Sequence, residues 1–322
     1  MKLLGLQIPN FTFPGVSNDR LFDHIAGLAQ TAEHAGFDSV FVMDHFYQLP
    51  SIGPRTDPML EGYTLLGGIA ARTKKVRLGT LVSGVTYRNP AFLAKTVTTL
   101  DIVSSGRAIL GIGAAWNEDE HNGYGYEFPP VGERLSRLEE ALQICRLMFT
   151  EPEATFEGRY YRVRGALNSP RPVQPGGPPI MIGGGGEKRT LKLVAQYADI
   201  CNIFGDPATV RHKMEVLAQH CQAVGRDPKS IIKTRLGALL IRKTKAEADA
   251  VLNQLIRRPG VDEQRVRDYF IAGGPDEVTR QVQAYLDAGL DGMIFNMPHI
   301  EDPEAIELAG RTLSGRLEPV GS

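Results

Sequence analysis

The chain has 322 residues, 36 basic and 37 acidic side chains, a formal net charge of -1, and 42% apolar against 23% charged residues. That composition supports a large core, and the balanced charge offers no electrostatic basis for binding nucleic acid or an acidic membrane. No apolar run approaches the roughly 18 residues of a membrane helix. Gln7 and Pro9 interrupt the N-terminal apolar run before a secretory signal could form. Cys145, Cys201 and Cys221 are odd in number and widely spaced, which argues against disulfide scaffolds and zinc ribbons and for a reducing, cytoplasmic setting.

Strand-like runs alternate with helical ones along the chain. The apolar run 2–8 ends at Pro9-Asn10. A helix is expected from an N-cap at Asn18 to Gly36, with Leu21, Ile25, Leu28, Ala29 and Ala32 at helical spacing. The β-branched and aromatic stretch 37–43 predicts a buried strand, residues 62–72 a helix, and 76–85 a third strand. Asn89-Pro90 joins an N-cap to a proline at the first helical position, and the helix it opens stops at Ser104-Ser105-Gly106. A strand over 107–113 and a helix over 132–149 follow. Residues 150–178, with Phe156, Tyr160 and Tyr161, break the rhythm and read as an inserted hairpin and loop. Strands resume over 179–182, 199–203, 231–241 and 292–296. Helices are expected over 187–197, 207–224, 245–288 (broken at Gly260 and at Gly273-Gly274) and 303–313.

Eight βα units predict an α/β fold of the closed (β/α)8 TIM-barrel type, one domain over residues 1–322. A doubly wound open sheet would require a GxGxxG turn after the first strand. The residues there are Pro9-Asn10-Phe11-Thr12-Phe13. Barrel chemistry sits at the C-terminal strand ends, which here carry Gln7, Asn10, Asp44, His45, Leu81 to Ser83, Ala114 to Asn117, Gly183 to Gly186, Asn202, Leu239 and Asn296.

Asp44-His45 stands first, because both polar side chains follow the apolar run Val40-Phe41-Val42-Met43. An imidazole exchanges protons near neutral pH, and a neighbouring acid tunes or orients it; the plain alternative is a polar rim pair capping a loop. Gly183 to Gly186 would let backbone N–H groups converge on an anion at a helix start, or serve as a flexible turn. Trp116 suits stacking on a planar ring or a simple lid contact. His24, His34, His212 and His220 read as solvated residues on exterior helices. No metal-ligand spacing and no GxSxG elbow occurs.

Several stretches carry a family resemblance. Asn89-Pro90-Ala91-Phe92-Leu93-Ala94-Lys95, Leu100-Asp101, Ser105 to Gly113, and Glu33 to Val40 running into Asp44-His45-Phe46 together resemble the bacterial luciferase-like superfamily. The resemblance implies a (β/α)8 barrel binding either flavin mononucleotide (FMN), usually for monooxygenation, or the deazaflavin coenzyme F420, for hydride transfer. Asp44-His45 is similar to the deazaflavin branch, which implies catalytic roles for both and a place for Asp44 beside the cofactor. The same resemblance puts Leu81-Val82 in a cis-peptide bulge behind the ring, Ala114 and Ala115 along the cofactor, Gly184 to Gly186 at its phosphate, and Gly183 and Asn202 among the cofactor-binding residues. Gln7, Asn10, Trp116 and Asn117 would line the substrate. In deazaflavin sugar-phosphate dehydrogenases a Glu after the fourth strand donates a proton. Here that end reads Gly113-Ala114-Ala115-Trp116-Asn117, with Glu118 the first acid, so a different substrate is expected. Family members are commonly homodimers, and Phe92, Leu93 and Val97 lie on a helix suited either to that interface or to the core.

Overall fold

The computed structural model describes residues 3–257 and 262–314. The chain opens with β1 (Leu3–Ile8), α1 (Asn18–Ala35), β2 (Ser39–Val42), α2 (Gly62–Arg72), β3 (Arg77–Thr80), β4 (Ser83–Gly84), α3 (Pro90–Val103) and β5 (Ala108–Gly113). Next come α4 (Glu118–Tyr124), α5 (Val131–Thr150), the antiparallel hairpin β6 (Glu153–Glu157) and β7 (Arg162–Leu167), and β8 (Ile180–Gly183). The remainder is α6 (Thr190–Tyr197), β9 (Ile200–Ile203), α7 (Pro207–Ala223), β10 (Ile232–Ile241), α8 (Lys245–Ile256), α9 (Glu263–Tyr269), β11 (Phe270–Gly273), α10 (Pro275–Asp287), β12 (Gly292–Asn296) and α11 (Pro303–Leu313).

Parallel pairing runs from β1 through β2, β3, β5, β8, β9, β10 and β12 and returns to β1, closing the expected barrel. Its strands read as continuous apolar runs because both faces are covered. Leu3, Phe41, Ile109, Met181, Ile200, Leu236 and Ile294 fill the interior, while a larger layer packs between strands and helices. Among the described residues no helix is long and apolar enough to cross a membrane.

Several boundaries differ from expectation. α1 is capped by Ser17, with Asn18 already helical, and Gly36 closes it at φ 90°. The stretch 76–85 is two strands, Arg77–Thr80 and Ser83–Gly84, and the Leu81–Val82 peptide between them is cis, the geometry expected there. α6 begins at Thr190, not Glu187, so the glycine run meets a turn before the helix. Within 245–288, Phe270–Gly273 is a strand. β10 spends residues 232–235 on β9, and β11 covers the edge left by 238–241. The break at Gly260 lies outside the described residues. His34 and His212 are exposed as expected, whereas the His24 ring packs on Phe13 at 4.3 Å and His220 Nε2 bonds the Glu187 carbonyl at 2.8 Å.

The most distinctive sequence signature turns out to be structural, at the barrel end opposite the candidate site. Glu33 accepts backbone N–H groups of Lys74, Lys75 and Val76; burial alone would raise its pKa, but these bonds and nearby Arg107 hold it below the ordinary value. Asp101 accepts from the backbones of Val173 and Gln174. Arg107 donates to carbonyls of Ala70, Val76 and Ser104. These three side chains satisfy loop backbone that a closed barrel would otherwise leave unpaired.

Candidate active site

β2 delivers Asp44 and His45 where its buried run Val40 to Met43 ends. Asp44 is 2% exposed, and its carboxylate is gripped by Arg88 through Nη1–Oδ2 at 2.5 Å and Nη2–Oδ1 at 3.0 Å. Arg88 Nη2 also reaches Glu61, the N-cap of α2, at 2.6 Å. Burial alone would lower the Arg88 pKa; the charge and hydrogen bonds of Asp44 more than reverse this and raise it. Such a two-pronged, charge-assisted contact fixes both partners. Asp44 is therefore committed to Arg88 rather than to the neighbouring imidazole.

The acid beside His45 is Glu120. Its Oε2 lies 2.8 Å from His45 Nδ1 and accepts from the Tyr87 hydroxyl at 2.7 Å. Its Oε1 accepts the backbone N–H groups of Phe46 and Tyr47 at 2.6 and 3.0 Å. Burial would raise the Glu120 pKa, yet the contacts with His45, Tyr47 and Tyr87 outweigh it and hold the carboxyl below the ordinary range. The expectation that Asp44 orients His45 is corrected accordingly. Glu118, the first acid after the strand, is exposed, while α4 turns Glu120 and His121 fully inward. Sequence reading missed Glu120 because α4 is only seven residues long and was not foreseen.

The Trp116 ring stands edge-on to His45 with centroids 5.6 Å apart, and is 61% exposed. A cavity of about 620 Å³ opens beside His45, walled by Phe46, Tyr87, Arg88, Tyr124 and Tyr126. Phe46 packs on Tyr87 and Tyr124 with centroids 4.7 and 4.5 Å apart. Asn117 gives its carbonyl to His121 Nδ1, and Ala114 gives its carbonyl to Arg134 Nε. Ala115 adopts a left-handed φ of 60°.

Other expected residues serve the bulge. Gln7 is 1% exposed, and its amide donates to the Leu81 carbonyl at 2.9 Å, so it supports Leu81 rather than facing open space. Val82 lies against Gly111, Gly113 and Gly183, where added Cβ atoms would come within 3.3, 3.0 and 2.9 Å of it. Gly113 thus makes room for Val82, Gly183 does the same from the next strand, and Gly111 makes room chiefly for the Thr80 carbonyl, 1.9 Å from where its Cβ would sit. Gly184 donates its N–H to the Asn202 carbonyl at 2.9 Å. Lys213 Nζ sits at the Gly185 carbonyl at 2.7 Å. The Asn202 side chain is buried and donates to Thr234 Oγ1. Asn10 Oδ1 and Asn296 Oδ1, at the ends of β1 and β12, are buried without a partner.

Comparison with known proteins places this geometry in a family. The family model described as luciferase-like monooxygenase matches residues 4–265, and the chain belongs to that family. The F420-dependent glucose-6-phosphate dehydrogenase of Nocardia farcinica is 31% identical, the match covering 91% of this chain and 93% of that protein. The protein of the same name from Kineococcus radiotolerans is 32% identical, covering 85% and 87%. Among solved structures, the coenzyme F420-dependent tetrahydromethanopterin reductase of Methanopyrus kandleri superposes with a TM-score of 0.79 at 21% identity, covering 96% of this chain and 97% of that one. EDTA monooxygenase from Chelativorans sp. BNC1 reaches 0.82 at 19% identity, covering 97% and 92%. These two share the fold.

Proposed function

We propose that the protein is an F420-dependent oxidoreductase transferring a hydride between coenzyme F420 and a small organic substrate. The observation that carries this reading is the F420 dependence named for relatives about as similar as the Nocardia protein, 31% identical over 91% of this chain. The mouth fits a planar ring with polar edges. Asn296 Oδ1 is a buried acceptor without a donor, which a ring N–H group would satisfy. Leu81 and Val82 offer an apolar support, Ala114 and Ala115 would flank the ring, and Gly183 to Gly186 with Lys213 would meet a phosphate. Asn202 would complete the cofactor shell, and Asp44 would act on it through Arg88.

When bound, the deazaflavin supplies hydride chemistry without oxygen activation. The chain's own contribution is acid–base and positional. His45 holds or releases a proton at Nε2 as charge develops on the reacting molecules. Trp116, Asn117 and Asn10 line the substrate side, with Gln7 acting through Leu81. Flavin mononucleotide is the alternative cofactor. We infer a substrate other than a sugar phosphate, because Arg88, the cation that lines the cavity, is already engaged by Asp44 and Glu61. Oxidation of reduced F420 followed against enones, imines, quinones, ketones and glucose 6-phosphate tests this. Turnover with an uncharged member of the panel is expected; turnover with glucose 6-phosphate alone would refute the substrate inference.

Phe92, 63% exposed, lies on α3 while its neighbours Leu93 and Val97 are core, which supports a homodimer joined near α3. Sedimentation is expected to give a species of twice 35.3 kDa, and a monomer at micromolar concentration contradicts it. Three free, buried cysteines support a cytoplasmic setting, tested by cell fractionation. A single domain is supported by α11 lying on α1, where a Cβ at Gly310 would come within 2.1 Å of the Ala35 carbonyl; one cooperative unfolding transition is expected.

A further inference from the structure

We propose that Glu120 is a positioning residue that fixes the tautomer of His45, placing the ring proton on Nδ1 and leaving Nε2 as the nitrogen that meets the reaction. The inference deepens the functional reading above and rests on it only for the word reaction; the tautomer itself is a property of this chain. Four groups converge on the Glu120 carboxylate: Phe46 N–H and Tyr47 N–H at Oε1, the Tyr87 hydroxyl and His45 Nδ1 at Oε2. Glu120 is fully buried. Two of its neighbours, the backbone amides, can only donate.

An ionised carboxylate has acceptors only, so the nitrogen 2.8 Å from Oε2 must carry its hydrogen. That assignment leaves Nε2 with a lone pair in the neutral ring. Among the described residues Nε2 has no hydrogen-bond partner, and His45 lines the cavity with Trp116 against its ring. The other ionisable groups around the imidazole do not compete for Nδ1. Asp44 and Glu61 are bound to Arg88, and Tyr87 is turned to Glu120. Burial, followed by the bond to Glu120, raises the Tyr87 pKa and keeps its hydroxyl a donor.

The geometry also predicts what an isosteric change does. In Glu120→Gln, the two backbone donors demand the amide oxygen on the Oε1 side. The amide NH₂ must then occupy the Oε2 side, where it donates to His45 Nδ1 and forces the ring proton to Nε2. A purely structural Glu120 would leave the tautomer where it was. The test is ¹⁵N NMR of the whole protein with labelled histidine, the His45 signals identified by their loss in His45→Gln. With the ring neutral, the wild type is expected to show the Nδ1–H form, and Glu120→Gln the Nε2–H form. Tyr87→Phe keeps the carboxylate and is expected to retain the Nδ1–H form.

An Nε2–H wild type, or a Glu120→Gln protein that keeps Nδ1–H, would overturn the proposal, and the wild-type spectrum alone decides if the variant does not fold. None of these readouts needs a cofactor. A failed F420 assignment therefore leaves the tautomer result standing, while a failed tautomer result leaves the F420 assignment untouched.

Discussion

Replacement of Arg88 by methionine is expected to destabilise the protein by about 3–5 kcal/mol, the usual cost of removing one partner from a buried ion pair. The Asp44 side chain is 1% exposed and Arg88 13%. Both Asp44 oxygens take their hydrogen bonds from the guanidinium, so truncation strands a carboxylate that water cannot reach. Lysine in place of arginine would recover only part, because an ammonium cannot supply the parallel pair of bonds. Adding Asp44→Asn to Arg88→Met should recover most of the loss, since the stranded charge goes with it. Denaturant titrations of the two single variants and the double variant measure this. A loss under about 1 kcal/mol for Arg88→Met would show that the pair is not holding the end of β2.

The second large effect separates chemistry from folding. His45→Ala should lower turnover by roughly 10²–10⁴, the usual contribution of one positioned acid–base group. Stability should fall by no more than about 1–2 kcal/mol. The structure explains the asymmetry: when the imidazole is removed, Glu120 keeps three donors, Phe46 N–H, Tyr47 N–H and the Tyr87 hydroxyl. Turnover and unfolding midpoints measured on one preparation read both quantities. Unchanged turnover with cofactor binding intact would reduce His45 to a rim residue. A collapse of stability would make the histidine part of the loop scaffold instead.

These two variants also divide what the sequence made legible from what it did not. Asp44-His45 was visible because a fully buried strand ends on two polar residues, a pattern that needs no partner to be recognised. Their actual partners, Arg88 and Glu120, lie 44 and 75 positions away, in a loop and in a seven-residue helix. Neither has a periodicity to betray it. The barrel strands were readable because burial on both faces writes them as unbroken apolar runs. β11 was not, since four residues that complete the edge of β10 look like the end of a helix. Gln7 and Gly183 are legible as strand-end residues, but the contacts they make there are not. One carries the Leu81 carbonyl and the other yields space to Val82, contacts that only the closed barrel brings together.

Direct binding tests the cofactor assignment. Purified protein is titrated in parallel against coenzyme F420 and flavin mononucleotide, with quenching of each cofactor's own fluorescence as the signal. Saturable quenching of F420 is expected, retained in His45→Ala because the imidazole is assigned to proton handling. Tight binding of flavin mononucleotide with no measurable affinity for F420 would contradict it.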